Sequence, residues 1–519
     1  MHSYLGAAVM AALLMLSTAL PASAQDVALR SHDGSVELSG TLIGFDGEYY
    51  RVDSIYGPLT VSAQGVTCRG PGCPDLENYV AEIRFAGASA ITDQLFPALV
   101  ARFAASRDLT LRRQVLDADR SVFSLIREDA QVAARFHVTG TSTDEGLAAL
   151  LARETDIALA TRQPDETEAA AARAADQGDI SMVARSRIMG LDALVPLVAP
   201  GNPVDALSLE DLAGIFAGEV TNWQDMDGPD APIALHLLEP STGHAQDVET
   251  RILAPFDRQP AATIIRHAST AALADAVAAD PFAIGIGSYS EIGNARLVPL
   301  RGVCGFIQHA TPDSLKSEDY PLTAPLFVYL PVRRMPQLGR EFLAFFESQD
   351  ADRVIRRLGF VNQAITAQPL REQGERLANA VAAAGEEVDL EDLQEMVAAM
   401  AGAERLSPTF RFGDGTAELD AQSLSAVARL SRAIERGAYD GRDLVFVGFS
   451  DSQGNAGANL RLARGRAEAV RLAVIAAATD GDLNRIRLRV EAFGEALPMA
   501  CDDTAAGRAV NRRVEVWLR

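Results

Sequence analysis

The stretch Leu444-Val445-Phe446-Val447-Gly448-Phe449-Ser450-Asp451 is an apolar strand that ends on an acid, and Gly454 and Gly457 turn the chain before a helical run from Leu460 to Ile475. A strand, a glycine turn and a helix in that order predict an α/β unit. Arg466 follows Asn459 by about two helical turns, so both side chains can reach the space beyond the strand where Asp451 ends. An acid and a fixed cation then face each other. Such a pair complements a zwitterion with an ammonium and a carboxylate a few ångströms apart, the guanidinium taking the carboxylate through two hydrogen bonds. The plain alternative is a surface ion pair worth under about 1 kcal/mol.

The residues around this unit carry a family resemblance. Phe412-Gly413-Asp414-Gly415 with Leu419-Asp420 opens the region, Ser450-Asp451…Gly454…Asn459…Leu462…Arg466-Ala467 follows, and Gly507-Arg508-Ala509 with Asn511-Arg512-Arg513-Val514-Glu515 closes it. From about Leu406 to Arg519 the chain resembles an OmpA-like C-terminal domain, which implies a βαβαββ fold and binding to the diaminopimelate of the peptidoglycan stem peptide. By that resemblance Asp451 takes the ammonium and Arg466 the carboxylate, with Asn459 and Arg513 supporting the loop. Phe449 stands where the family often has His, and Asp502 where it often has Asn, which adds a negative charge near the site.

Upstream, strands and amphipathic helices alternate from about Glu82 to Asn362, which predicts an α/β body. Gly87-Ala88-Ser89, Gly140-Thr141-Ser142-Thr143 and Ser241-Thr242-Gly243 each follow a strand and open a helix. Unpaired N–H groups and hydroxyls at such starts can cradle an anion, although each alone is more often a capped turn. Their distribution over two lobes would enclose a ligand between them.

This body resembles a periplasmic binding protein of the phosphate-binding, PstS-like family. Phe85-Ala86-Gly87-Ala88-Ser89, Asp156-Ile157-Ala158-Leu159-Ala160-Thr161-Arg162, the segment from Leu207 to Trp223, Asp280-Pro281-Phe282-Ala283-Ile284-Gly285 and Tyr320-Pro321-Leu322 carry the match. The resemblance implies two lobes closing on an oxyanion lined by Ser89, Ser142 or Thr143, Asp156, Thr242 and Gly243. Asp156 is expected to accept a proton carried by the ligand, which selects hydrogen phosphate over sulfate. The family's cationic Arg is replaced by Leu238, with Glu239 beside it, and His244 is a weak substitute that would need its proton.

The whole chain has 519 residues, 48% of them apolar, enough for several cores. Met1 to Ala24 contains no Asp, Glu, Lys or Arg and ends Ala22-Ser23-Ala24, which predicts a cleaved secretory signal over 1–24. Alternating short runs then predict a small all-β domain over 25–76, with Cys68 and Cys73 bracketing Arg69-Gly70-Pro71-Gly72 as a disulfide loop. A metal at those thiols is the lesser reading, since no further ligand cluster joins them. The substrate-binding body is expected over 80–364, a helical linker over 365–405, and the C-terminal domain over 406–519. Cys304 and Cys501 fall in different domains, and their pairing is left open.

The net charge of −23 argues against nucleic acid and anionic lipid as partners. No Walker loop, dinucleotide fingerprint, nucleophile elbow or zinc motif appears, so the reading is non-enzymatic, without cofactor or metal. The chain reads as a multidomain, mainly α/β protein of the periplasm, associated with peptidoglycan and open to outer-membrane association. It would capture a small oxyanion, provisionally phosphate, and an ABC permease or an envelope sensor would be its protein partner. The alternative is a wall-anchored structural or docking module whose binding domain is degenerate.

Overall fold

The computed structural model describes residues 26–519 apart from 176, 181, 183, 184, 385, 386, 413, 414, 480 and 503. The expected signal over 1–24, and Gly413-Asp414 of the C-terminal opening motif, lie outside the described residues.

Short alternating runs make an antiparallel sheet at the N-terminus. Val27–Ser31, Glu37–Phe45, Tyr49–Ser54 and Gly57–Ser62 pair in succession, and Val66–Arg69 returns beside the first strand. Val27, Leu29, Tyr50 and Val52 alternate inward to form its small core. Cys68 and Cys73 are bonded.

The body is a two-lobed sheet. Ala81–Ala88, Val132–Thr141 and Ile157–Ala160 run parallel in the first lobe. Ala234–Leu238, Ile265–His267 and Ala283–Ser288 run parallel in the second. Their near-continuous apolar runs suit strands covered on both faces. Two strands join the lobes: Ser186–Val198 pairs with Thr323–Tyr329 through its first half and with Ala283–Ser288 through its second, while Thr323–Tyr329 also pairs with Ile157–Ala160. The carboxyl ends of the parallel strands therefore meet between the lobes, where ligands of α/β sheets bind.

The segment from Leu207 to Trp223 supports this body by packing. Ser208 caps the helix Leu209–Phe216 in a reciprocal box with Asp211, and Trp223 is buried with its indole N–H on the Phe282 carbonyl at 2.9 Å. It builds the second lobe and leaves the cleft to other loops.

In the C-terminal domain the sheet order is Ala367–Pro369, Glu404–Arg411, Arg513–Leu518, Asp443–Phe449, Arg487–Gly494. Helices Ala421–Glu435 and Ala456–Ala477 cover one face. The other face corrects the expectation of a spacer over 365–405. Leu393, Met396 and Met400 follow helical spacing and pack on Val445, Val447, Phe449 and Trp517, and Ala367–Pro369 adds an edge strand. Burial of each such side chain is worth about 1.5–3 kcal/mol, enough to turn a linker into part of the domain.

Body and C-terminal domain are joined covalently by Cys304–Cys501. Beside that bond, the Arg405 guanidinium donates to Asp319 at 2.5 and 3.0 Å, and Arg376 and Arg513 donate to Glu515 at 2.5 and 2.7 Å. Burial opposes the charge on Asp319, yet Arg405 and its neighbours hold that carboxyl down to about 2.

Candidate functional sites

The interlobe cavity, about 120 Å³, is lined by hydroxyls and acids set among apolar side chains such as Leu194, Leu326 and Phe360. Of the residues expected there, Ser89 and Thr242 line it, and so does Leu238, which leaves the position of the missing cation apolar. Ser142, Thr143 and Gly243 sit beside it in the seam between lobes. Ser142 is buried and caps its helix, its hydroxyl accepting from the Glu145 N–H at 3.2 Å. Thr143 Oγ1 accepts from the Thr161 N–H at 3.0 Å, and a Cβ added at Gly243 would stand 3.7 Å from the Thr143 nitrogen. The two helix starts therefore lie against each other.

Asp156 is not in the cavity. It precedes Ile157–Ala160, at the opposite end of the strand from the cleft, and accepts from Arg84 N and Nη2, each at 2.9 Å, as well as from Arg333. Burial works against its ionised form, but Arg84 and Arg333 hold its carboxyl below the usual range. A carboxylate saturated by arginines cannot accept a ligand's proton in a cleft at the other end of the sheet.

Several cleft residues escaped sequence reading. Asp192, on the strand that joins the lobes, accepts from the Ser288 hydroxyl at 2.5 Å and the Ser290 hydroxyl at 2.9 Å. Asp247 accepts from the Thr161 hydroxyl at 2.6 Å, which ties the second lobe to the first, and Gln94 donates to Glu291 across the seam at 3.3 Å. The rule that ligands gather at strand carboxyl ends points to Thr161 and Ser288. Burial pushes Asp93, Asp192 and Asp247 up, so their neutral forms persist to higher pH than a free carboxyl's. Burial also pushes His244 down, so its imidazole is neutral at neutral pH and cannot replace the absent Arg. Arg251, which faces Asp247 electrostatically, donates to the Pro321 and Thr323 carbonyls at 3.1 and 2.9 Å.

The C-terminal site is more compact. Asp451 Oδ2 accepts from Arg512 Nη1 at 2.8 Å, and Asn459 Nδ2 donates to the Asp451 carbonyl at 3.3 Å. Arg466 is fully buried, donates Nε–H to the Thr416 carbonyl at 2.9 Å, and lies 5.2 Å from the centre of the Phe412 ring. Arg512 Nε reaches the Phe412 carbonyl at 3.5 Å, so Asp451, Arg512, Phe412 and Arg466 form one connected group. Asp502 braces the adjoining loop by accepting from the Ser452 N–H at 2.6 Å and from Asn511 Nδ2 at 2.5 Å.

Arg513 has a different place from the one expected. Fully buried, it donates to Glu515 and to the Leu497 carbonyl at 2.8 Å and stacks over Phe449 at 4.4 Å. Its role is in the domain core, where burial lowers its pKa to about 9. Its neighbour Arg512 is the one that meets Asp451.

Comparisons with known proteins follow this division. Residues 113–350 match the PBP superfamily domain and residues 411–512 match the OmpA family. Probable lipoprotein YiaD of Escherichia coli (strain K12) is 40% identical over 72 residues, which are 14% of this chain and 31% of that protein. Phosphate-binding protein PstS of Borreliella burgdorferi is 29% identical over 75 residues, 14% of this chain and 27% of that protein. The chain thus spans under a third of the length of these two relatives. The crystal structure of an ABC-type phosphate transport receptor from Vibrio cholerae is 20% identical, covers 54% of this chain and 99% of that one, and has a TM-score of 0.41. Among the described residues no helix is long and apolar enough to cross a membrane. The chain thus carries, in this order, a region that matches the PBP superfamily domain and a region that matches the OmpA family.

Proposed function

We propose that this protein binds a small oxyanion, with phosphate as the first candidate, in the interlobe cleft while its C-terminal domain holds peptidoglycan. The observation that carries the reading is the cavity between the lobes, lined by the hydroxyls of Ser89, Thr242, Ser288 and Ser290. The name of the PstS relative supports phosphate as the ligand. No Lys or Arg lines the cavity among the described residues. Recognition would therefore rest on neutral donors, beside the carboxyls of Asp192 and Asp247, which burial pushes up and which repel an anion less when they hold their protons. A protonated acid donates to a phosphate oxygen, whereas an ionised one repels it. Phosphate affinity should then fall as pH rises and these acids lose their protons. In the C-terminal domain Asp451 would take the diaminopimelate ammonium and Arg466 its carboxylate, with Asn459 fixing the Asp451 loop. The reading is of a periplasmic binder held at the wall, which suits buffering, sensing or local delivery to a permease better than free shuttling.

A second reading has its own observation. Asp93, Asp192, Asp247 and Glu291 line the same cavity, which favours a ligand rich in donors or positive charge. Calorimetric titration with phosphate, sulfate and putrescine between about pH 5 and 8 separates the two. Phosphate heat that weakens with pH supports the oxyanion reading. Putrescine heat that strengthens with pH, without phosphate heat, replaces it.

A further inference from the structure

A second concavity, about 510 Å³, lies between the N-terminal β-sheet and the body. It is lined by Arg51, Arg84, Arg153, Arg333 and Arg334 together with the carboxylates of Asp46 and Asp156, and Glu48 at its rim accepts from Arg334 Nη2 at 2.6 Å. The lining residues carry an excess of three positive charges, which the rim carboxylate of Glu48 lowers to two, in a chain whose net charge is −23.

Asp156, Asp46 and Glu48 hold three of the guanidinium groups in place. Asp156 takes Arg84 and Arg333, as described above. Asp46 accepts from Arg334 Nη1 at 2.8 Å and from the Glu48 and Tyr49 N–H groups, while the Arg334 guanidinium lies 4.3 Å from the centre of the Tyr49 ring. Asp46 and Asp156 are buried, but the side chains of Arg84, Arg333 and Arg334 stay 48%, 46% and 40% exposed. Arg153 holds a left-handed φ of 61° just past a helix end, a conformation that favours glycine, and its carbonyl receives Arg84 Nη2 at 3.2 Å. Arg51 and Arg153 are exposed and take no part in these ion pairs. The result is a set of guanidinium forks, fixed from behind and open in front, which is the donor pattern that phosphate groups match.

We propose that this groove binds a polyanion carrying two or more phosphate groups, at a site separate from the interlobe cleft. The separation follows from the sheet. Asp156 lies at one end of the strand Ile157–Ala160 and Thr161, which lines the cleft, lies at the other. The phosphates can belong to a free oligophosphate or to a lipid headgroup, and the apolar rim supplied by Ile43 and Val332 is compatible with either.

The test uses protein comprising residues 25–519. Sodium tripolyphosphate is titrated calorimetrically at low and moderate salt, and phosphatidylcholine vesicles with and without cardiolipin, whose headgroup carries two phosphates, are tested by co-flotation. The comparison protein is Arg51→Glu/Arg153→Glu, whose exposed positions leave the fold intact, as circular dichroism will verify. The expected result is binding to tripolyphosphate or to the anionic vesicles that weakens with salt and falls at least about tenfold in the double variant. The arm that responds identifies the source of the phosphate. Absence of binding in both arms overturns the site. So does binding that the double variant leaves unchanged, since that binding would belong to the interlobe cleft or another surface.

Discussion

The cleft and the C-terminal site differ in how each is assembled. Asp451, Asn459, Arg466 and Arg512 come from one strand end, one helix and the final turn, within about sixty residues, and they meet as a connected polar group. The cleft draws on positions from Ser89 to Phe360, and its lining depends on how two lobes sit against each other. A local motif carries its geometry with it, whereas a site divided between lobes does not. That difference explains why an acid expected in the cleft is found in a basic groove at the far end of the same strand.

The largest effect that sharpens the comparison belongs to Arg466. Arg466→Ala removes a buried cation and should weaken capture on diaminopimelate-type peptidoglycan by about 2–5 kcal/mol, roughly thirtyfold or more. Asp451→Ala, nearer the surface, should weaken the same pull-down without much loss of thermal stability. Unchanged capture in both variants would reduce the group to an ordinary ion-pair cluster.

Next comes the covalent tie between the two regions. Cys304→Ser/Cys501→Ser opens a bond that spans 197 residues, and should lower stability by about 2–5 kcal/mol, seen as a drop in Tm. Its loss should leave the isolated peptidoglycan interaction in place. In the cleft, Ser89→Ala and Thr242→Val each remove a hydroxyl, and each should cost phosphate binding about 1–3 kcal/mol by calorimetry.

A smaller effect is expected from pH at the joint between body and C-terminal domain. Burial pushes Glu318 up to about 8, so the folded state holds its proton more tightly than the unfolded chain. Its contribution is present below the ordinary carboxylate range and is lost as pH rises towards 8. Asp319, held down to about 2, acts in reverse: its contribution is complete above the ordinary range and is lost as pH falls towards 2. Denaturant melts across pH should show both slopes, and Glu318→Gln should flatten the upper one. The smallest effect is at Asp156. Asp156→Asn should leave the phosphate-to-sulfate preference of the cleft unchanged, since its carboxylate faces arginines elsewhere.

Sequence reading went furthest where periodicity and motif coincide. The strand ending at Asp451 and the helix carrying Arg466 were legible because apolar alternation, glycine turns and helical spacing agree over a short stretch. The α/β body was legible from its alternating elements. Less visible was the docking of Leu390–Met400 on the C-terminal sheet, since an apolar stripe does not say which surface covers it. Arg512 and Arg513 are adjacent in sequence and point to opposite environments, one to Asp451 and one into the core, which only the strand register decides. Asp192 is an acid inside an apolar strand, and nothing local marks it as facing the cleft.

The measurement that tests the account most directly is retention of phosphate by protein already captured on peptidoglycan. Protein comprising residues 25–519 is sedimented with diaminopimelate-type peptidoglycan, equilibrated with radiolabelled phosphate near pH 6, and compared with the Thr242→Val variant and with peptidoglycan alone. The account predicts phosphate in the pellet in proportion to bound protein, and much less with Thr242→Val at equal protein capture. A pellet that holds the protein but no more phosphate than peptidoglycan alone would contradict it.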